Sequence, residues 1–167
     1  MNPVTLIARA RGLVYAAVFV GLWGWLALAA RNLDYSMGGP LPAMLRPAGL
    51  VLLSLGAVLA ATCVGLFIGP GRGTPAPFDP PREFVASGPY RWTRNPMYLG
   101  AAAVLLGLGL WWQSPGAASL SAVLLILAHG FVLLVEEPSL TRRFGESYLE
   151  YRSRVPRWIP RRPRRLP

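Results

Sequence analysis

The sequence contains no lysine, one cysteine, one histidine and few charges of any kind. Each scarcity excludes something. A lone Cys63 rules out an intramolecular disulfide. It sits in an apolar run, where burial raises a thiol's pKa, so it reads as a packing residue and not as a nucleophile. One histidine with no cysteine pair leaves no ligand spacing for a metal centre. There is no G-x-S-x-G elbow, no phosphate loop and no G-x-G-x-x-G following a strand, which removes the common soluble-enzyme signatures. Only 14% of the 167 residues are charged and 53% are hydrophobic, whereas a soluble domain carries about 25% charged residues. The chain therefore reads as a single small integral membrane domain over 1–167. All 17 basic residues are arginine, set against 7 acids, for a net charge of +10. In a membrane protein that excess points to anionic lipid headgroups and not to nucleic acid.

Gly12 to Ala30 holds no charge, and its 19 residues rise about 28 Å as a helix, close to the hydrocarbon thickness. Pro47 to Gly71 is a second uncharged stretch, and no charged residue occurs from Asn95 through Val135. That last run is too long for one crossing and suits two. Gln113-Ser114-Pro115-Gly116 interrupts it with turn chemistry. The reading is an all-α polytopic bundle of about four transmembrane helices, near 12–30, 48–69, 96–113 and 117–136, with a C-terminal interfacial helix. With four crossings the N-terminus, a 70–95 loop and a 137–167 tail share one side. They carry every arginine except Arg31 and Arg46, so that side is expected to be cytoplasmic and the membrane the inner one. Trp111 and Trp112 fit an interfacial belt on the far side. "ALAARN" resembles a signal-peptide cleavage site, but the apolar run ahead of it is longer than a signal h-region and carries Trp23 and Trp25. Gly107 and Gly109, with Ala103, read as sites of close helix approach.

The polar groups gather at three places on the arginine-rich side. "GPYRWTRNPMYLG" enters the third span, "HGFVLLVEE" ends the fourth, and "RRFGESYLEYRSRVPRWIP" follows. A hairpin joins its ends, so Arg94-Asn95-Pro96 is expected near Glu136-Glu137. Two glutamates at a span end need partners if desolvated, and Arg91, Arg94, Arg142 and Arg143 are the nearest supply. Adjacent helix positions diverge by about 100 degrees, so the two carboxylates cannot share one role. His129 lies seven residues before Glu136, on the same face of a regular helix; it either lines the pocket or bonds to a neighbouring helix. Phe144, Tyr148, Tyr151 and Val155 recur at helical spacing with charges between them, an amphipathic interfacial pattern. The tail "PRRPRRLP" is assigned to loose contact with headgroups.

These blocks, over about residues 80–160, resemble the C-terminal core of the isoprenylcysteine carboxyl methyltransferase and phospholipid N-methyltransferase group of membrane enzymes. The resemblance implies a cytoplasmic pocket for S-adenosylmethionine formed by the last spans and the tail. It carries over to Tyr90, Arg94, Asn95, Pro96, Tyr98 and the adjoining Leu99, to Glu136 and Glu137, and to Tyr148, Tyr151 and Arg154. Many isoprenylcysteine enzymes have "RHP" in the first block where this chain has "RNP". Asparagine can hydrogen-bond like histidine but cannot titrate, so a proton-transfer role at position 95 is not carried over. Asn-Pro-Met-Tyr followed by Glu-Glu-Pro is similar to the phospholipid enzymes, while "FGESYLEYRSRVP" is closer to the isoprenylcysteine branch.

On this reading a soluble donor meets a membrane-dissolved lipid or isoprenoid acceptor at a polar entrance. A carboxylate acceptor needs an arginine to place it, for which Arg154 or Arg143 is suited. An amine acceptor must lose a proton, for which Glu136 or Glu137 is suited. The aromatic rings of Tyr90 or Tyr98 suit a sulfonium cation, and His129 is a further candidate for lining the cofactor site. Two other readings stand beside this one. A membrane sterol reductase using NADPH has a similar closing region, and a non-catalytic adaptor would use arginines for lipid and leave the glutamates merely paired.

Overall fold

The computed structural model describes residues 3–69, 71 and 84–161, with side chains described from residue 14. The proline- and glycine-rich stretch 72–83 and the tail 162–167 lie outside the described residues. The described residues include six α-helices, α1 (Pro3–Ala30), α2 (Arg46–Ile68), α3 (Pro96–Trp111), α4 (Pro115–Phe131), α5 (Glu137–Phe144) and α6 (Glu146–Arg154), and no strand. Pro96 and Pro115 open α3 and α4, where the missing N–H costs nothing and the fixed φ favours the first helical turn. Val14–Leu33, Ala43–Ile68 and Pro115–Phe144 are long and apolar enough to cross a membrane, and α3 is a shorter apolar helix. Val18, Trp25, Leu55, Val58 and Ile126 stand exposed along these helices, the apolar surface that hydrocarbon chains cover.

The returning helix does not stop at Glu136. Val132–Glu136 forms a π-helical segment, and α5 continues from it without a break. An extra residue in a helical turn shifts everything beyond it around the axis. The expectation that His129 and Glu136 share a face assumed a regular helix between them. Likewise, the single interfacial helix expected after the glutamates is two helices. Gly145, at φ 52 and ψ −129, breaks it, a conformation open to glycine and strained for other residues.

Contacts sort the chain into two compact units. One takes in Ala16–Ala60 and Tyr98–Ala128. Its core is Ala27, Ala102, Leu105, Ala117 and Leu124, with Trp23, Leu108, Trp112 and Leu120 packed against it. Here α2 and α3 run backbone to backbone. A Cβ on Gly56 would lie 2.6 Å from the Gly100 carbonyl oxygen, and one on Gly107 would collide with the Leu53 amide. The α3–α4 turn is clasped by the segment after α1. Gln113, at φ 58, donates from Nε2 to the Leu41 carbonyl at 2.9 Å and accepts from the Leu41 amide at 2.8 Å. Asp34 Oδ1 accepts from Ser114 Oγ at 2.7 Å and from the Gly116 amide at 3.0 Å, capping α4 from a distant part of the chain.

The other unit takes in Met1–Tyr15, Ala61–Met97 and His129–Pro167. It contains the polar segments singled out in the sequence from Tyr90 to Pro96 and from His129 onward.

Candidate active site

At the centre of this unit is the carboxylate of Glu137, the first residue of α5, 5% exposed. Arg157 grips it with two parallel bonds, Nε to Oε1 at 2.7 Å and NH2 to Oε2 at 3.0 Å. The Arg94 guanidinium lies 2.8 Å from Oε1, and Arg152 stands 3.9 Å from Oε2. A buried carboxylate survives only with such partners, and the two-pronged arginine contact is the strong form. The bond to Glu137 in turn pushes the Arg157 pKa up.

Arg157 is held in place through its own backbone. The helix α6 ends at Arg154, and Val155–Arg161 leaves it as an irregular strap across residues 92–95. The Arg94 amide donates to the Pro156 carbonyl at 2.9 Å, and the Arg161 amide to the Trp92 carbonyl at 3.0 Å. Thr93 Oγ1 donates to the carbonyls of Arg157 at 2.9 Å and Trp158 at 3.1 Å. Asn95 Nδ2 donates to the Arg157 carbonyl at 3.1 Å. Trp158 Nε1 donates to His129 Nδ1 at 3.0 Å, which fixes the imidazole with Nδ1 as acceptor.

Aromatic rings complete the cluster. Tyr90 is buried and lies 5.3 Å from Phe67. Burial pushes its phenol well above the ordinary tyrosine pKa, with Cys63 adding to the shift. Tyr151 donates to the Tyr90 carbonyl at 2.7 Å. Phe84 meets Phe144, Tyr148 and Tyr151 with centroids at 5.4, 5.9 and 5.0 Å. Burial, followed by the negative charge of Glu137, raises the Tyr148 pKa; burial raises that of Tyr151. Glu136, the last residue of the π segment, acts electrostatically on both Tyr90 and Tyr148.

Arg94, Asn95, Glu137, Tyr90, Tyr148 and Tyr151 are thus brought together, with Glu136 in electrostatic reach. Pro96 is fully buried at the start of α3, and Tyr98 and Leu99 are half-buried in its first turn. Two arginines singled out for an acceptor carboxylate point elsewhere. Arg154 pairs with Glu150 one turn back on α6, because the i,i+4 spacing puts them side by side. Arg143 is exposed and lies over the Phe144 ring at 5.4 Å. The residues the sequence reading passed over are Thr93 and Arg157. The available signal was Arg157 itself, in a segment flanked by Pro156 and Pro160 that cannot continue α6.

The fold and this cluster define a polytopic helical membrane protein with a buried, arginine-clamped carboxylate built from three separate stretches of chain. The chain belongs to the phospholipid methyltransferase family, whose profile matches residues 45–147. Two curated relatives are metal-resistance proteins. The nickel-cobalt-cadmium resistance protein NccN of Alcaligenes xylosoxydans xylosoxydans is 33% identical over 79 residues, covering 47% of this chain and 37% of that protein. The cobalt-zinc-cadmium resistance protein CzcN of Cupriavidus metallidurans is 34% identical over 77 residues, covering 46% of this chain and 35% of that protein. In both, the match spans little more than a third of the relative's own length. No solved structure matches the chain. Among the described residues no three histidine, cysteine, aspartate or glutamate side chains gather as a metal site.

Proposed function

We propose that the protein transfers a methyl group from S-adenosylmethionine to a lipid or isoprenoid acceptor dissolved in the membrane, at the cytoplasmic interface. The observation that carries this reading is the meeting of Arg94, Glu137 and Arg157, one from each of the three sequence blocks, on a single buried ion cluster. The chemistry of the surroundings suits the donor. The Arg94 Nε is buried with no hydrogen-bond partner among the described residues, so an incoming carboxylate has a donor waiting. Glu136 supplies negative charge beside Tyr90 and Tyr148, which suits an ammonium, ribose hydroxyls or a sulfonium.

When bound, the donor supplies a methyl group already activated on a positive sulfur. The chain's residues then have to align, exclude water and manage one proton. Fixing two reactants in line can contribute about 7–11 kcal/mol. Glu137 is a poor base, because Arg157 and Arg94 neutralise it; its work is to lock the strap onto the entrance of α3. Glu136, beside Tyr90 and Tyr148, is the carboxylate proposed to take the proton from an amine acceptor, or to hold the donor when the acceptor is itself a carboxylate. Asn95 is committed through its amide to the strap and acts by positioning Arg157.

The test is equilibrium binding of labelled S-adenosylmethionine to the purified protein, followed by mass spectrometry of total lipids from cells with and without it. Binding is expected, with new methylated lipid that Glu136→Gln abolishes. Asn95→Ala is expected to weaken both. Absence of binding, or lipid methylation indifferent to both substitutions, would overturn the proposal.

A further inference from the structure

A polar concavity lies in the other unit, and none of its residues belongs to the Glu137 cluster. It is a cleft of about 460 Å³ whose walls include Arg31, Asn32, Asp34, Tyr35 and Trp112. Candidate spans end at Leu33 and begin again at Ala43, so these residues sit where a spanning chain leaves the hydrocarbon and meets headgroups. Leu28 and Tyr35, which also line the cleft, are exposed, Tyr35 at 91%. An apolar rim around a polar cleft is the surface a lipid occupies, with acyl chains outside and headgroup within.

The charges inside are specific. The Arg31 guanidinium lies over the Trp112 ring, 5.3 Å from its centroid, and no ion pair joins it to an acid among the described residues. Asp34 spends Oδ1 on Ser114 and Gly116; Oδ2 has no partner among the described residues. An arginine held over an indole face by cation–π attraction, with no acid paired to it, keeps N–H groups for phosphate oxygens. In the same cleft, a carboxylate with one open oxygen and an exposed phenol ring suit a cation. One group of each sign disfavours a purely anionic ligand.

We infer that this cleft binds the headgroup of a zwitterionic phospholipid, its phosphate on Arg31 and its cationic end toward Asp34 and Tyr35. The site holds a lipid at the rim of the bundle and takes no part in methyl transfer.

The experiment is native mass spectrometry of the full chain released from nanodiscs containing equal parts of phosphatidylethanolamine, phosphatidylcholine and phosphatidylglycerol. A zwitterionic lipid should be retained over phosphatidylglycerol by about tenfold, the loss expected when one charge-assisted contact is replaced by a contact to a neutral hydroxyl. Arg31→Gln should reduce retention of all three lipids. Asp34→Asn keeps the Oδ1 acceptor that caps α4, and should cut the zwitterionic preference while leaving phosphatidylglycerol retained. Soluble glycerophosphoethanolamine should compete poorly, since it lacks acyl chains for the rim. Equal retention of the three lipids by the unaltered protein would overturn the inference, as would unchanged retention in folded Arg31→Gln. Full competition by the soluble headgroup would overturn the assignment to a lipid.

Discussion

Glu137 gathers Arg94, Arg152 and Arg157 on one buried carboxylate. With its side chain 6% exposed and two arginines bonded to it, it is the kind of buried ion whose removal leaves charges stranded. Glu137→Gln keeps the shape and deletes the charge, leaving Arg94 and Arg157 to repel one another. Breaking such a pair costs about 3–5 kcal/mol, and the partial exposure of Arg157 brings the expected loss to about 2–3 kcal/mol. Thermal unfolding in detergent measures it. Arg157→Lys keeps the charge and loses the fork, and should cost less than half as much. The Glu137–Arg94 contact was legible in the sequence because a hairpin must bring the start of α3 and the end of α4 together. Arg157 was not, because its place depends on backbone bonds from Thr93, Arg94 and Asn95 to an irregular strap, and irregular backbone has no period to read. Asn95 was recognised as important, but its amide is occupied by a carbonyl of the chain.

At the scale of elements, apolar runs and turn residues gave the helices and the hairpin, since length and hydropathy are written in composition. Two features escaped that reading. The π segment Val132–Glu136 has no compositional mark, because its residues are ordinary helix formers and the extra residue answers to tertiary packing. The break at Gly145 was open to view as a glycine inside an amphipathic pattern, but periodicity on either side concealed it. The α2–α3 contact gives a direct test. Gly56→Ala places a methyl against the Gly100 carbonyl, and such overpacking costs typically 1–3 kcal/mol. Gly65, on the same helix, has nothing within 4 Å of its missing Cβ, so Gly65→Ala should be neutral or gain up to about 1 kcal/mol of helix propensity. Unfolding midpoints of the two variants should therefore move in opposite directions or differ clearly.

For the whole molecule, the arginine distribution predicts an orientation that can be checked because the native thiol is silent. Cys63 is fully buried, so introduced cysteines report alone. Ser36 and Ser147 are both exposed, in segments that the positive-inside rule assigns to opposite sides. An impermeant maleimide should label Ser36→Cys in intact spheroplasts and Ser147→Cys only after permeabilisation; the reverse pattern would invert the topology. The strap also has a temporal consequence. Its backbone bonds tie Arg94 to Pro156 and Trp92 to Arg161, across some sixty residues of intervening chain. Spans can enter the bilayer as the ribosome delivers them, but the ionic knot at Glu137 has to wait for Arg157 to emerge. Every nascent intermediate shorter than that leaves Glu137 without its two-pronged partner, so insertion of the spans and closure of the ion cluster are separate events in the life of each molecule.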